Sequence, residues 1–185
     1  MTALIRVWLL ALATATTLAV DLDGRPVTQL APPGSRAVVL FFAASDCPIS
    51  NRYIPEIQGL TKQFEPLGVR VWFVYPNPTD TAKVVRAHDV EFSITANTAL
   101  DTRQSLTQMA HATITPEAAV FVPQAGGLHE VYRGRIDDRY LALGTERPQA
   151  TRHDLEDAIR AVLANKPVPQ PGGPPIGCSI VTSQP

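Results

Sequence analysis

The stretch Ala37–Ala44, AVVLFFAA, follows Arg36 with eight apolar residues, rich in Val and Phe and without a polar side chain. It is too short for a buried helix and has the β-branched and aromatic content of a strand, so it reads as a central strand covered on both faces. A strand of that kind needs a layer packed on each side, which restricts the chain to sheet-and-helix architectures. Ser45–Pro48 breaks the run. Ile54, Ile57, Leu60, Thr61 and Phe64 then recur at three- and four-residue spacing, predicting a helix over 48–64 that Gly68 ends. Val69–Tyr75, VRVWFVY, reads as a second buried strand, parallel to the first across the intervening helix.

The remaining pattern continues in kind. Asp21–Gly34, with Pro26, Pro32 and Pro33, predicts a short hairpin or loop leading in. Pro76–Thr81 is a turn, Ala82–Asp89 a short helix, Phe92–Ala96 a short strand and Asp101–Ala110 a further helix. Glu117–Val122 and Leu128–Tyr132 are strands either side of a Gly126-Gly127 turn, which makes them an antiparallel hairpin. Arg133–Gly144 is polar and reads as a loop, with Arg135, Asp137 and Asp138 solvated. Thr151–Asn165 carries an apolar stripe (Leu155, Ala158, Ile159, Val162, Leu163) and a Thr151/Asp154 capping-box pattern. Pro167–Pro175, PVPQPGGPP, excludes a helix and reads as an extended linker to Cys178. The expected fold is α/β, with a mixed central sheet flanked by helices.

Residues 1–19, MTALIRVWLLALATATTLA, pair a single Arg6 with an apolar stretch from Val7 to Ala13 and small residues at Ala13/Ala15 and Thr17/Ala19. This is the pattern of a cleaved secretory signal peptide. It divides the chain into a leader (1–19), a domain (20–165) and a proline-rich tail (166–185), places the mature protein in a periplasmic or extracellular setting where disulfides persist, and leaves no membrane span after cleavage. Sixteen Lys and Arg against 17 Asp and Glu argue against a nucleic-acid partner. Two cysteines are too few for a four-cysteine zinc site, and His88, His129 and His153 lack metal-ligand spacing, so no cofactor or metal is expected.

Cys47 stands where the first buried strand gives way to the first helix, the end of an open sheet at which α/β proteins place reactive groups. Pro48 fits the first helical position, where its missing N–H leaves nothing unmade. The open N–H groups and dipole of the first turn favour a thiolate over a thiol at Cys47, and the thiolate is the form that attacks disulfides and peroxides. Asp46 either opposes that charge or caps the helix and points away. Ser50, three residues on, cannot close a disulfide but can donate a hydrogen bond to a thiolate. Tyr53 and Glu56 follow on the same helix.

Three segments together resemble the thioredoxin superfamily in its redoxin branch, which groups the alkyl hydroperoxide reductase/thiol-specific antioxidant proteins with the exported TlpA-like proteins: VVLFFAASDCPISNRYIPEI (38–57), TPEAAVFV (115–122) and LHEVYRGRIDDRY (128–140). The resemblance implies a thioredoxin-like three-layer sandwich. It makes Cys47 the attacking cysteine, and Pro116, after Thr115, the cis-proline that packs opposite and presents backbone groups to an incoming peptide or disulfide. Ser50 takes the place of the second cysteine of a Cys-x-x-Cys dithiol. Leu40 and Ala44 stand where the peroxiredoxin pattern Pro-x-x-x-Thr-x-x-Cys has its proline and threonine. Copper-binding relatives use Cys-x-x-x-Cys and a distant histidine, and here Asn51 holds the second place and His111 is the one candidate histidine.

Cys178 is then the one partner for Cys47 within the chain. It lies 13 residues past Asn165, a reach of roughly 40 Å at about 3.1 Å per extended residue. That reach permits four arrangements: a resolving thiol for Cys47, a static disulfide, a link between chains, or a free thiol. The expected activity is that of an exported thiol–disulfide oxidoreductase acting on a protein disulfide or thiol and regenerated by an external thiol reductant. A thiol peroxidase acting on hydroperoxides is the first alternative, and a copper-binding module built on Cys47, Cys178 and His111 the second.

Overall fold

A computed structural model describes residues 16–181; residues 1–15 of the expected leader lie outside the described residues. In chain order the elements are β1 (Ala19–Val20), β2 (Pro26–Val27), β3 (Ala37–Phe42), α1 (Pro48–Phe64), β4 (Val69–Tyr75), α2 (Ala82–Glu91), β5 (Asn97–Leu100), α3 (Ser105–Met109), β6 (Ile114–Thr115), β7 (Glu117–Gln124), β8 (Gly127–Gly134), β9 (Tyr140–Ala142), β10 (Thr145–Glu146), α4 (Asp154–Leu163) and β11 (Cys178–Ser179). Among the described residues seven strands form one sheet in the order β2-β1-β5-β4-β3-β7-β8. β3 runs parallel to β4 and antiparallel to β7, so it lies inside the sheet, and all six of its residues are buried.

The alternation of side chains along β3 divides the core in two. Val39 and Phe41 join Tyr53, Ile54 and Ile57 of α1, Val85 of α2, and Leu155, Ala158 and Ile159 of α4. Val38, Leu40 and Phe42 join Leu106 and Ala110 around α3, with Leu30 and Ile180. Helices therefore cover both faces, as the unbroken apolar run requires. Each large side chain buried this way contributes about 1.5–3 kcal/mol. The arrangement is a thioredoxin-like α/β fold with a mixed central sheet.

Four local expectations change. The segment Phe92–Ala96 is not a strand: α2 continues to Glu91, Ser93 turns the chain at φ +53°, and Phe92 packs its ring 4.7 Å from that of His88. The strand is displaced to β5, parallel to β4. The helix expected over 101–110 shortens to α3 because Asp101 turns its carboxylate onto the N–H groups of Leu106 and Thr107, at 3.2 and 2.8 Å. Thr151 does not cap α4, which begins at Asp154; its N–H and hydroxyl go instead to Asp138, at 2.7 and 2.6 Å. The stretch 133–144 is not a solvated loop. Asp137 and Asp138 are buried, β8 runs on to Gly134, and β9 pairs with β10.

Asp138 ties the turn before α4 together. Its carboxylate accepts three hydrogen bonds, two from Thr151 and one from the Arg152 N–H at 3.0 Å, and pairs with Arg147 at 3.5 Å. Burial pushes its pKa up, but those donors outweigh burial and hold it well below the usual carboxylate range. A carboxyl depressed in the folded state stabilises above its unfolded pKa of about 4, and that stability is lost as pH falls through the folded value. Asp138→Asn should therefore lower unfolding free energy at pH 7 by about 1–3 kcal/mol. In urea titrations the gap between wild type and variant should close as pH is taken from 5 towards 2; a gap that stays constant contradicts the assignment.

Candidate active site

β3 ends at Phe42 and delivers Cys47 to the mouth of α1. Cys47 is the N-cap residue, in extended conformation at φ −90° and ψ 110°, with Pro48 opening the helix. The loop is held by its own backbone: the Cys47 N–H reaches the Ala44 carbonyl at 3.2 Å and the Asn51 N–H the Cys47 carbonyl at 3.0 Å. Ser50 is buried, and its hydroxyl accepts from the Ala44 N–H at 3.3 Å, so it braces the loop from below. Asp46 is exposed, and no side chain caps α1, so the capping alternative for Asp46 is not realised.

A second layer of polar residues grips Ser45, two residues before the thiol. Asp80, buried in the β4–α2 loop, accepts from the Ser45 N–H at 3.1 Å and from its hydroxyl. The Asn51 amide donates to the Ser45 carbonyl at 3.1 Å. That bond fixes which end of the amide faces His88, whose Nε2 lies 2.8 Å from Asn51 Oδ1. An amide oxygen only accepts, so His88 carries its proton on Nε2, and its Nδ1 accepts from the Tyr75 hydroxyl at 3.0 Å. Burial pushes His88 below its ordinary pKa, against Glu91 and Asp80, in keeping with that neutral tautomer. Reading residue types along the chain found neither Asp80 nor this use of Asn51 and His88. Three residues from α1, α2 and the loop between β4 and α2 carry no shared spacing.

Opposite the loop lies the segment 114–116, where the Thr115–Pro116 peptide is cis. The Cys47 thiol donates to the Thr115 carbonyl at 3.3 Å. The tail arrives at the same residue. β11 pairs antiparallel with β6, setting Cys178 against Thr115 and Ser179 against Ile114. The Ile180 N–H continues the ladder to the Thr113 carbonyl at 2.9 Å. Gly177 passes so close that a Cβ on it would lie 2.7 Å from the Thr115 carbonyl carbon and 2.9 Å from Pro116 Cδ. Under this cover Cys47 is only 1% exposed.

Both cysteines stand as free thiols. Loss of water around its sulfur, the hydrogen bond with Cys47, the nearness of that sulfur and then Asp46 push the Cys178 thiol up to about 12. The proline-rich stretch leading there, residues 166–177, contains no helix or strand. It is nevertheless attached: the Gly172 N–H donates to Asp154 at 3.0 Å, and Gly134 leaves room for Pro171, which a Cβ there would meet at 2.8 Å.

Tyr53 and Glu56 face the other side of this cleft. The Tyr53 hydroxyl donates to the buried Asp137, and Arg139 spans Glu56 at 3.3 Å and Asp137 at 3.8 Å. Burial, then the Asp137 charge, pushes Glu56 up. Tyr53 and Asp137 line a small cavity with Pro116 and the tail residues Pro174 and Ile176. Among the described residues, the side chains close enough to share a metal ion are Glu56, Asp137 and His153, which already hold Arg139 between the carboxylates. Neither cysteine nor His111 belongs to that group.

The fold and this site can be set against known proteins. A crystal structure of an uncharacterized conserved protein from Geobacillus kaustophilus superposes with a TM-score of 0.74 at 25% identity, covering 91% of this chain and 90% of that one. A hypothetical protein from Sinorhizobium meliloti 1021 gives 0.74 at 23% identity, covering 92% and 94%. A secreted disulfide oxidoreductase of Mycobacterium tuberculosis gives 0.52 at 15% identity, covering 82% and 96%. No curated protein matches the chain. The model of the AhpC/TSA family matches residues 11–127, which take in the strand, Cys47, α1 and the Thr115-Pro116 segment. The chain belongs to the AhpC/TSA family, in the redoxin branch of the thioredoxin-like superfamily.

Proposed function

We propose that this protein is a two-cysteine thiol–disulfide oxidoreductase in which Cys47 attacks and Cys178 resolves. The observation that carries the reading is the convergence of both cysteines on one residue: Thr115 receives the Cys47 thiol on its carbonyl and pairs with Cys178 in the β6–β11 ladder. The Cys47 thiolate attacks one sulfur of a substrate disulfide, forms a mixed disulfide and releases the other sulfur as a thiolate. The Cys178 thiolate then attacks the Cys47 sulfur, releases the second substrate thiolate and closes the Cys47–Cys178 bond. The substrate gains two electrons and the protein loses two; an external dithiol restores them.

The two roles follow from environment. Cys178 is pushed up, partly by Cys47 itself, and so waits as the protonated partner while Cys47 reacts. Once Cys47 is tied into a mixed disulfide, its share of that upward push is removed and only the share from lost water and Asp46 remains. Pairing through β11 brings the resolving sulfur to the site without a helix having to unwind, since Cys178 already lies on the ladder.

A hydroperoxide is the second reading for the oxidant. With the tail in place Cys47 is 1% exposed, which admits a small molecule more readily than a protein loop. Attack on the peroxide oxygen would give a sulfenic acid at Cys47 and release an alcohol, and Cys178 would then form the disulfide with loss of water.

The leader pattern supports action outside the cytosol, where a cysteine pair of this kind can cycle against other disulfides. Of the two small-residue cleavage positions, the one after Ala15 keeps the β1–β2 hairpin whole. A cut after Ala19 would remove the Leu18 N–H that meets the Val27 carbonyl at 2.9 Å, and the residue paired with Val27.

Cys47→Ser should abolish reduction of a model disulfide, and Cys178→Ser should leave a single turnover that stalls as a mixed disulfide, visible as a mass adduct on Cys47. An intact turnover rate in Cys178→Ser contradicts the resolving role, and peroxide consumption with a thiol donor separates the two oxidants. Gly177→Ala tests the docking of the tail: the overlap with Thr115 and Pro116 should lift β11 and slow disulfide closure about tenfold or more, measured by quenched alkylation and mass analysis. The α/β core should stay folded, checked by circular dichroism, because Gly177 lies outside both core clusters and, of the segment 176–181, Ile180 belongs to one.

A further inference from the structure

The ladder that presents Cys178 is short. β11 has two residues, and the segment before it contains five prolines between 167 and 175, each without an N–H donor. A two-residue pairing is weak, and a slip of one residue would turn Cys178 to the opposite face, away from Cys47. Something beyond the ladder has to fix its register.

The residues that do so lie on the far side of Cys178. The Val181 N–H donates to Asn77 Oδ1 at 3.0 Å, and the Val181 carbonyl accepts from Gln104 Nε2 at 2.6 Å. Both backbone groups of one tail residue are thus held by two buried side chains. Gln104 also reaches the Pro76 carbonyl at 3.3 Å, next to Asn77. Asn77 belongs to the β4–α2 loop, whose Asp80 grips Ser45; the Asp80 N–H bonds back to the Asn77 carbonyl at 3.0 Å. One loop therefore holds the chain two residues before Cys47 and three residues after Cys178.

We propose that Asn77, with Gln104, is a positioning residue for the resolving step: it fixes the register of the tail so that the Cys178 sulfur meets Cys47, while Asp80 in the same loop fixes the Cys47 side. This assignment rests on the reading of Cys178 as the resolving thiol. Their bonds to the tail are to its backbone, so they act on how often the two sulfurs meet through the position of the tail.

The test is the equilibrium of the full-length protein with glutathione buffers, with the Cys47–Cys178 disulfide quantified by alkylation and mass spectrometry. Asn77→Ala and Val181→Pro remove opposite ends of the same hydrogen bond, the first at a buried loop residue and the second at an exposed tail residue. Each should lower the effective concentration of the pair about fivefold. The double variant should fall no further than either single one. In a Cys178→Ser background, Asn77→Ala and Val181→Pro should raise the alkylation rate of Cys47 by the same factor, since each uncovers it only by releasing the tail; a larger rise with Asn77→Ala marks general loosening of the site and overturns the assignment. Single variants that close like wild type, or losses that add in full, overturn the assignment and leave the resolving role standing. A wild-type protein that forms no such disulfide at any glutathione ratio overturns both.

Discussion

The Thr115 carbonyl and the short ladder beside it are where the two halves of the site meet. That carbonyl accepts the Cys47 thiol, and the same residue pairs with Cys178 at the other end of the sequence. Backbone is a suitable meeting point for two cysteines. It is fixed by the sheet that follows in β7, it carries no side chain that could swing away, and Gly177 lets the tail approach closer than any residue with a Cβ. If that approach were lost, Cys47 would keep its place at the mouth of α1, but it would face solvent without a partner sulfur.

The loop carrying Cys47 depends on buried polar groups from outside its own segment. Asp80 and Asn51 hold Ser45, and His88 and Tyr75 fix the orientation of the Asn51 amide. In an apolar interior a hydrogen-bonded chain of this kind adds modest net stability but makes any other arrangement of its members expensive, because each would leave a polar group unpaired. Its effect is a single conformation of the loop. The Tyr53–Asp137–Arg139–Glu56 group acts in the same way on the opposite wall, where Asp137 is fully enclosed beside Pro116 and the tail.

The membership of the chain in the AhpC/TSA family does not of itself say which oxidant it meets, because the local residues differ from both the dithiol and the peroxiredoxin patterns at Ser50, Leu40 and Ala44. In this chain the two thiols, Cys47 and Cys178, lie far apart in sequence. A Cys-x-x-Cys pair is brought together by one turn of helix. Here a proline-rich tail, anchored at Asp154 and again at Asn77, does the same work across the surface of the domain.

The primary sequence was sufficient for the elements whose residues carry their own periodicity. The unbroken apolar run at 37–44, the three- and four-residue spacing through α1 and the apolar 69–75 run each announce how many of their faces are buried, and the structure places them as β3, α1 and β4. It also located the strand-end cysteine and the Thr115-Pro116 step. Where polar side chains would go was not written in any local pattern. Asp101 and Asp138 redirect backbone donors from helix starts, Ser93 in a left-handed conformation moves a strand, and Asp80 and Asn77 reach segments 35 and 104 residues away. A hydrogen bond between distant residues leaves no repeat in the chain, and the choice among partners is made by which polar groups folding leaves without water. For the same reason the sequence could say that Cys178 was able to reach Cys47, but only the packed surface, with Gly177 against Thr115, decided that it arrives there.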